Sequence, residues 1–121
     1  MQFNGRFSIN NNIIIHPNLT IDEFIKTSLY EKQDLSRFFW IRKENIINNH
    51  NFYLGFLFKE KKISQIQFYC VDKNISTEEM RKKFNDNFVK ELSSSEDYAW
   101  GNIKSIFNKR ENIALLVINY K

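Results

Sequence analysis

Two histidines, one cysteine and fourteen carboxylates are the side chains through which this chain of 121 residues could do acid, base or nucleophilic chemistry. A hydrolase needs a nucleophile brought to a base, or a metal held by several ligands. His16 precedes Pro17 at the end of an apolar stretch, and His50 sits in the polar run Asn48-Asn49-His50-Asn51. No His-x-x-x-His or Cys-x-x-Cys spacing occurs, so no zinc site is expected. Cys70 lies in Ile66-Gln67-Phe68-Tyr69-Cys70-Val71 and reads as a small core hydrophobe that has no partner for an internal disulfide.

The carboxylates fall where solvated acids normally do. Asp22, Glu23, Glu78 and Glu79 stand at helix starts, and Glu60, Glu96 and Asp97 stand in polar connections. A paired-carboxylate glycosidase stays open on sequence alone, although such enzymes are usually larger. The three glycines, Gly5, Gly55 and Gly101, are isolated, so neither a Walker loop nor a dinucleotide fingerprint can be written. The expectation is a protein that is not an enzyme and uses no cofactor or metal.

Aromatic side chains are the other candidates for function. Phe, Tyr and Trp make up 16% of the chain and hydrophobic residues 42%, a composition that excludes a disordered segment and supports one core over residues 1–121. No apolar run is long enough for a membrane-spanning helix and the amino terminus lacks a signal-peptide h-region, so a cytoplasmic protein is expected. The net charge of +4 comes from short, scattered basic groups beside acidic residues, such as Lys59-Glu60-Lys61-Lys62 and Arg81-Lys82-Lys83. That distribution is not a nucleic-acid signature.

Two segments share helix-start chemistry. In Leu19-Thr20-Ile21-Asp22-Glu23-Phe24, Thr20 and Glu23 can form a capping box and Leu19 can staple onto Phe24, beginning a helix from Ile21 to Leu29. In Ile75-Ser76-Thr77-Glu78-Glu79-Met80, Ser76 is the expected cap, Glu79 its return partner, and Ile75 with Met80 the staple. The second helix would bury Met80, Phe84, Phe88 and Leu92 and leave Arg81, Lys82, Lys83, Asp86 and Lys90 to solvent. The recurrence hints at duplication, though the segments that follow differ.

Strands are expected at Arg37–Arg42, Asn51–Lys59, Ile63–Asp72, Tyr98–Phe107 and Ile113–Tyr120, with a further short pair near Gly5–Ile9 and Asn12–His16. The fold class is α+β: a curved, mainly antiparallel sheet of five to seven strands with two helices packed on one face. Alternation puts Phe52, Leu54, Phe56, Phe58, Ile66, Phe68 and Cys70 under the helices. Tyr53, Leu57, Tyr69, Trp100 and either Leu115 with Val117 or Leu116 with Ile118 fall on the second face. Either that face is a partner surface, or the amino-terminal strands or a sister subunit cover it.

The segment Ser95-Glu96-Asp97-Tyr98-Ala99-Trp100-Gly101-Asn102-Ile103-Lys104, followed by a Lys-bearing turn and the apolar strand Ile113–Tyr120, resembles the ending of a loose group of small bacterial proteins. Asn18-Leu19-Thr20-Ile21-Asp22-Glu23-Phe24 with Ser28 is similar to their early helix. That group is identified with immunity proteins of contact-dependent growth inhibition and related polymorphic toxin systems. The resemblance implies a cytoplasmic, non-catalytic protein-binding module that neutralises a cognate toxin domain. Immunity proteins facing basic nucleases are often acidic, whereas this chain is basic, and their binding residues cannot be transferred by motif. Tyr53, Tyr69, Tyr98 and Trp100 are the candidate anchors, with Glu96 and Asp97 as candidate acidic contacts. The alternatives are a single-stranded nucleic-acid binder, stacking bases on Tyr53, Tyr69 and Trp100 beside Lys59, Lys61, Lys62 and Lys104, and a homodimeric structural subunit.

Overall fold

The computed structural model describes residues 3–92 and 97–121. Among these residues the expected α+β architecture holds, with seven strands in two antiparallel sheets and two helices. At the amino end, β1 (Phe7–Ile9) and β2 (Ile13–Ile15) form a hairpin turned through Asn10 and Asn11, which take φ of 54° and 63°. Asn tolerates this left-handed region better than most residues, and consecutive left-handed residues match the twist of a hairpin.

The main sheet has five strands: β3 (Phe39–Ile47), β4 (His50–Lys59), β5 (Lys62–Cys70), β6 (Gly101–Asn108) and β7 (Ile113–Tyr120), in the order β3-β4-β5-β7-β6. β3 continues five residues beyond the expected end at Arg42. A register shift between Ile41 and Asn45 absorbs the polar residues, and Asn45, though a poor strand former, is buried and held by the Asn10 side-chain amide at 2.9 Å. Asn10 also accepts from the Ile46 amide at 2.7 Å, fastening the hairpin to β3. β6 begins later than expected because Tyr98 and Gly101 exchange backbone hydrogen bonds in a tight turn.

Helix α1 (Ile21–Phe24) has the expected capping box, with Thr20 and Glu23 as reciprocal partners. It stops well before Leu29. The Lys26 and Thr27 amides bond three residues back, and the Thr27 hydroxyl donates to the Phe24 carbonyl and accepts from the Leu29 amide. Such local side-chain bonds compete with helix continuation.

Helix α2 (Glu78–Leu92) departs from the expected frame by one residue. Thr77, not Ser76, caps it, accepting from the Met80 amide at 3.1 Å. The inward face turns by part of one residue step, so that it lies between the Arg81–Asn85 row and the Phe84–Phe88 row. Met80 is therefore 44% exposed, while Arg81 and Asn85 are buried, against the expectation that Met80 packs inward and Arg81 faces water. Phe84 and Phe88 still pack on Phe52, with ring centroids 6.3 and 6.2 Å away.

Both helices and the β1–β2 hairpin cover the same sheet face. Phe24 of α1 packs on Phe56 and Phe58 at 5.2 Å each, Phe84 and Phe88 of α2 lie over Phe52, and Phe7 of β1 lies over Phe68. Cys70 is fully buried there, and burial pushes its thiol up to about 11, so it stays protonated and inert.

The sheet is split at one end. β5 and β7 pair only from Gln65–Asn119 to Phe68–Leu116, and continuing the register would set Cys70 against Ala114. The start of α2 fills this gap. Arg81 Nε donates to the Cys70 carbonyl at 2.7 Å, the Ala114 amide donates to Glu78 Oε1 at 2.9 Å, and Arg81 donates to Glu78 Oε2. An ion pair thus stands where a ladder hydrogen bond would have been, leaving the flanking backbone groups satisfied.

Candidate protein-binding face

Among the described residues, neither helix nor hairpin lies on the second sheet face. Because β1 and β2 lie on the opposite side, the amino-terminal strands do not cover it. Strand parity and register place on it Trp40 of β3; Tyr53, Gly55 and Leu57 of β4; Gln65, Gln67 and Tyr69 of β5; Leu115, Val117 and Asn119 of β7; and Asn102, Lys104 and Ile106 of β6. Of the two pairs left open on the last strand, Leu115 with Val117 lies here, while Leu116 and Ile118 are in the core. Ile46 and Ile106, on the two outer strands, are 47% and 43% exposed.

Three arrangements give this face its chemistry. Tyr53 and Tyr69 are direct cross-strand partners with ring centroids 6.4 Å apart and planes within 26°. Arg81 and Glu78 reach through the split in the sheet to hold Tyr69: the guanidinium lies 4.2 Å over its ring, and its hydroxyl donates to Glu78 Oε2 at 2.9 Å. Burial, reinforced by that hydrogen bond, pushes the Tyr69 phenol above its ordinary range, so it remains a donor.

Phe38 and Trp40 form the second arrangement, an edge-to-face pair with centroids 5.5 Å apart. A Cβ at Gly55 would stand 2.3 Å from the Phe38 ring, so the missing side chain is what lets this ring lie on β4. The third is a relay of side-chain amides across three strands. Gln67 donates to Gln65 at 3.0 Å, Gln65 to Asn119 at 2.9 Å, and Asn119 to Asn102 at 3.2 Å. Aromatic rings on one half and uncharged hydrogen-bonding groups on the other make a surface suited to a folded partner.

The residues singled out from sequence divide into two groups. Tyr53 and Tyr69 meet on the open face. Trp100 does not join them, contrary to its expected place: it lies on the helix-covered side, packed on Phe3 and Tyr120 at 5.4 and 5.9 Å and stacked on Tyr98 at 5.7 Å. A Cβ on Gly5 would sit 2.7 Å from the Trp100 ring. Gly101, at φ 138°, turns the chain, and a Cβ there would collide with the Asn119 carbonyl oxygen. The Trp-Gly pair is therefore a packing device. Asp97 accepts from Lys121 at 3.1 Å, which holds its carboxyl below the usual range, and Glu96 lies outside the described residues.

Phe38 and Trp40 were missed as anchors because the irregular polar stretch after Ile41 obscures the alternation of β3. A lone glycine inside an aromatic strand, Gly55, was the available signal. Each histidine meets a carboxylate. His50 Nδ1 is 2.7 Å from Asp72 Oδ2, with its ring edge-on to Phe84, and no hydroxyl or thiol among the described residues hydrogen-bonds to it. His16 is 3.5 Å from Glu23. Among the described residues no three His, Cys, Asp or Glu side chains cluster as metal ligands, and no helix is long and apolar enough to cross a membrane. Comparison with protein-family models, with curated proteins and with solved structures finds no match.

Proposed function

We propose that this chain is a non-catalytic protein-binding domain that uses the open sheet face, and that its partner is a bacterial toxin domain which it neutralises in the cytosol. The observation that carries the reading is the uncovered face itself, with Phe38, Trp40, Tyr53 and Tyr69 beside a relay of four amides. Five strands of this length span roughly 600 Å² before side-chain relief, against about 800 Å² on each partner in a standard interface. Aromatic anchors at the centre of such a patch supply most of the binding energy. The toxin-directed part of the reading rests on the resemblance of the Trp-Gly ending and the early helix to immunity proteins.

Charge placement favours protein over nucleic acid. Lys59 and Lys104 are on the open face but on strands separated by β5 and β7. Lys61 is in the β4–β5 turn and Lys62 opens β5, and the two meet Ile21 and Thr20 through backbone pairing. Trp100 is not available for stacking with the tyrosines. A nucleic-acid groove would combine a basic track with its stacking platform.

The test is co-purification of the tagged protein with the carboxy-terminal domain of the toxin encoded beside it, with growth rescue scored in parallel. A complex is expected, weakened at least tenfold by Trp40→Ala or Tyr53→Ala with little change in melting temperature. No complex and no rescue, with an active toxin and a folded protein, would remove the reading.

A further inference from the structure

On the covered side, the β1–β2 hairpin, the carboxy-terminal half of α2 and the sheet do not close completely. They leave a cleft of about 460 Å³ walled by Phe7, Phe52, Phe68, Phe88 and Leu92. Among the described residues its polar contributors are Ser8, Asn11, Asn48 and Asn49, and none that lines it is charged. Small-molecule sites usually fall between about 300 and 1,000 Å³, with an apolar lining and a few polar groups. We infer that this cleft binds an uncharged, mainly apolar small molecule bearing one or two hydrogen-bonding groups, a role independent of the partner proposed for the open face.

Two observations define that chemistry. The floor is made of ring faces and branched side chains, which reward an apolar body by removing it from water. The rim is built from two Asn-Asn turns, Asn10-Asn11 and Asn48-Asn49, all four residues at positive φ. Asn10 is spent on Asn45 and Ile46, whereas the side chains of Asn11, Asn48, Asn49 and Ser8 bond to none of the described residues. A ligand's polar end thus meets donors and acceptors at the rim.

A charged ligand would lose its hydration with no counter-ion among the described lining residues.

The experiment is a titration of the full ¹⁵N-labelled chain, followed by amide chemical shifts, with 2-naphthamide and its charged counterpart 2-naphthoate. Saturable shifts are expected at Phe7, Asn48, Phe52 and Phe88 with the amide, and binding at least tenfold weaker with the carboxylate. Phe88→Trp and Leu92→Trp, which fill the cleft from two positions, should each weaken the amide at least fivefold, while Tyr53→Ala on the opposite face leaves it unchanged. Should one tryptophan variant fail to fold, the other decides. Absence of saturable shifts, equal binding of the two probes, shifts confined to the open face, or undiminished binding in a folded tryptophan variant would each overturn the inference.

Discussion

The two faces of the five-stranded sheet are built from the same strands, yet they are chemically unlike. On the covered face every second residue of β4 from Phe52 to Phe58 is Phe or Leu, and Phe52, Leu54 and Phe56 are at most 1% exposed. On the open face the same strand offers Tyr53, Gly55 and Leu57, flanked by the amides of β5, β6 and β7. Hydrocarbon rings suffice where water is excluded. Phenols, an indole and amides appear where a surface must stay compatible with water and still be able to bind. The difference puts the apolar core on one side and leaves the other as the surface that the proposed partner would use.

The sharpest test of that division pairs Phe56→Ala with Tyr53→Ala in denaturant unfolding. Phe56→Ala should cost about 3–5 kcal/mol, the range for a large core truncation. Tyr53→Ala should cost about 1 kcal/mol. Comparable losses would make Tyr53 core and dissolve the contrast between the faces.

Arg81→Leu probes the split where the faces communicate. It leaves Glu78 without its cationic partner beside the Ala114 amide, at an expected cost of about 3 kcal/mol, and removes the guanidinium from over the Tyr69 ring. Adding Glu78→Gln should recover part of the loss, because the orphaned charge is then gone. A double variant no better than the single one would mean that the ion pair is not what joins α2 to the split.

Gly55→Ala should destabilise by about 1–3 kcal/mol through overpacking against Phe38. It would also displace the Phe38–Trp40 pair, so the expected signature is altered Trp40 fluorescence. No change in that emission would mean that the ring pair does not depend on the glycine.

The smallest effect is acid sensitivity at the strand end beside α2. Burial raises the Asp72 pKa, but the Asn51 amide and His50 outweigh it and hold the carboxyl below its ordinary value. Its contribution to stability is complete above the unfolded carboxylate range and is lost as pH falls through the lowered folded value. Stability of Asp72→Asn relative to the wild type should converge as pH drops from 6 toward 3. A constant difference would place the acid sensitivity elsewhere.

How much of this was legible from sequence depended on whether the signal was local. The Thr20–Glu23 capping box, the extent of β7 and the inward run of β4 were readable because each is written in residues close along the chain. The start of α2 was misplaced by one residue because Ser76 and Thr77 are both good caps. What selects Thr77 is distant: with that frame, Glu78 and Arg81 meet Ala114 and Cys70, and Met80 is turned outward. Trp100 was assigned to the wrong face because the turn at Gly101 breaks the alternation before β6 begins. On the open face Tyr53 and Tyr69 could be found by parity, whereas Phe38 and Trp40 emerge only once their packing over Gly55 is known.

The ion pair in the split sheet also determines what can open separately. The Ala114 amide bonds to a helix side chain instead of a neighbouring strand, so its hydrogen exchange should report release of α2 while the Gln65–Asn119 to Phe68–Leu116 pairs remain closed. The β6–β7 hairpin joins the rest of the sheet through those four residue pairs and this one graft. It can therefore act as a semi-independent cooperative unit, held in place by a helix that precedes it in the chain.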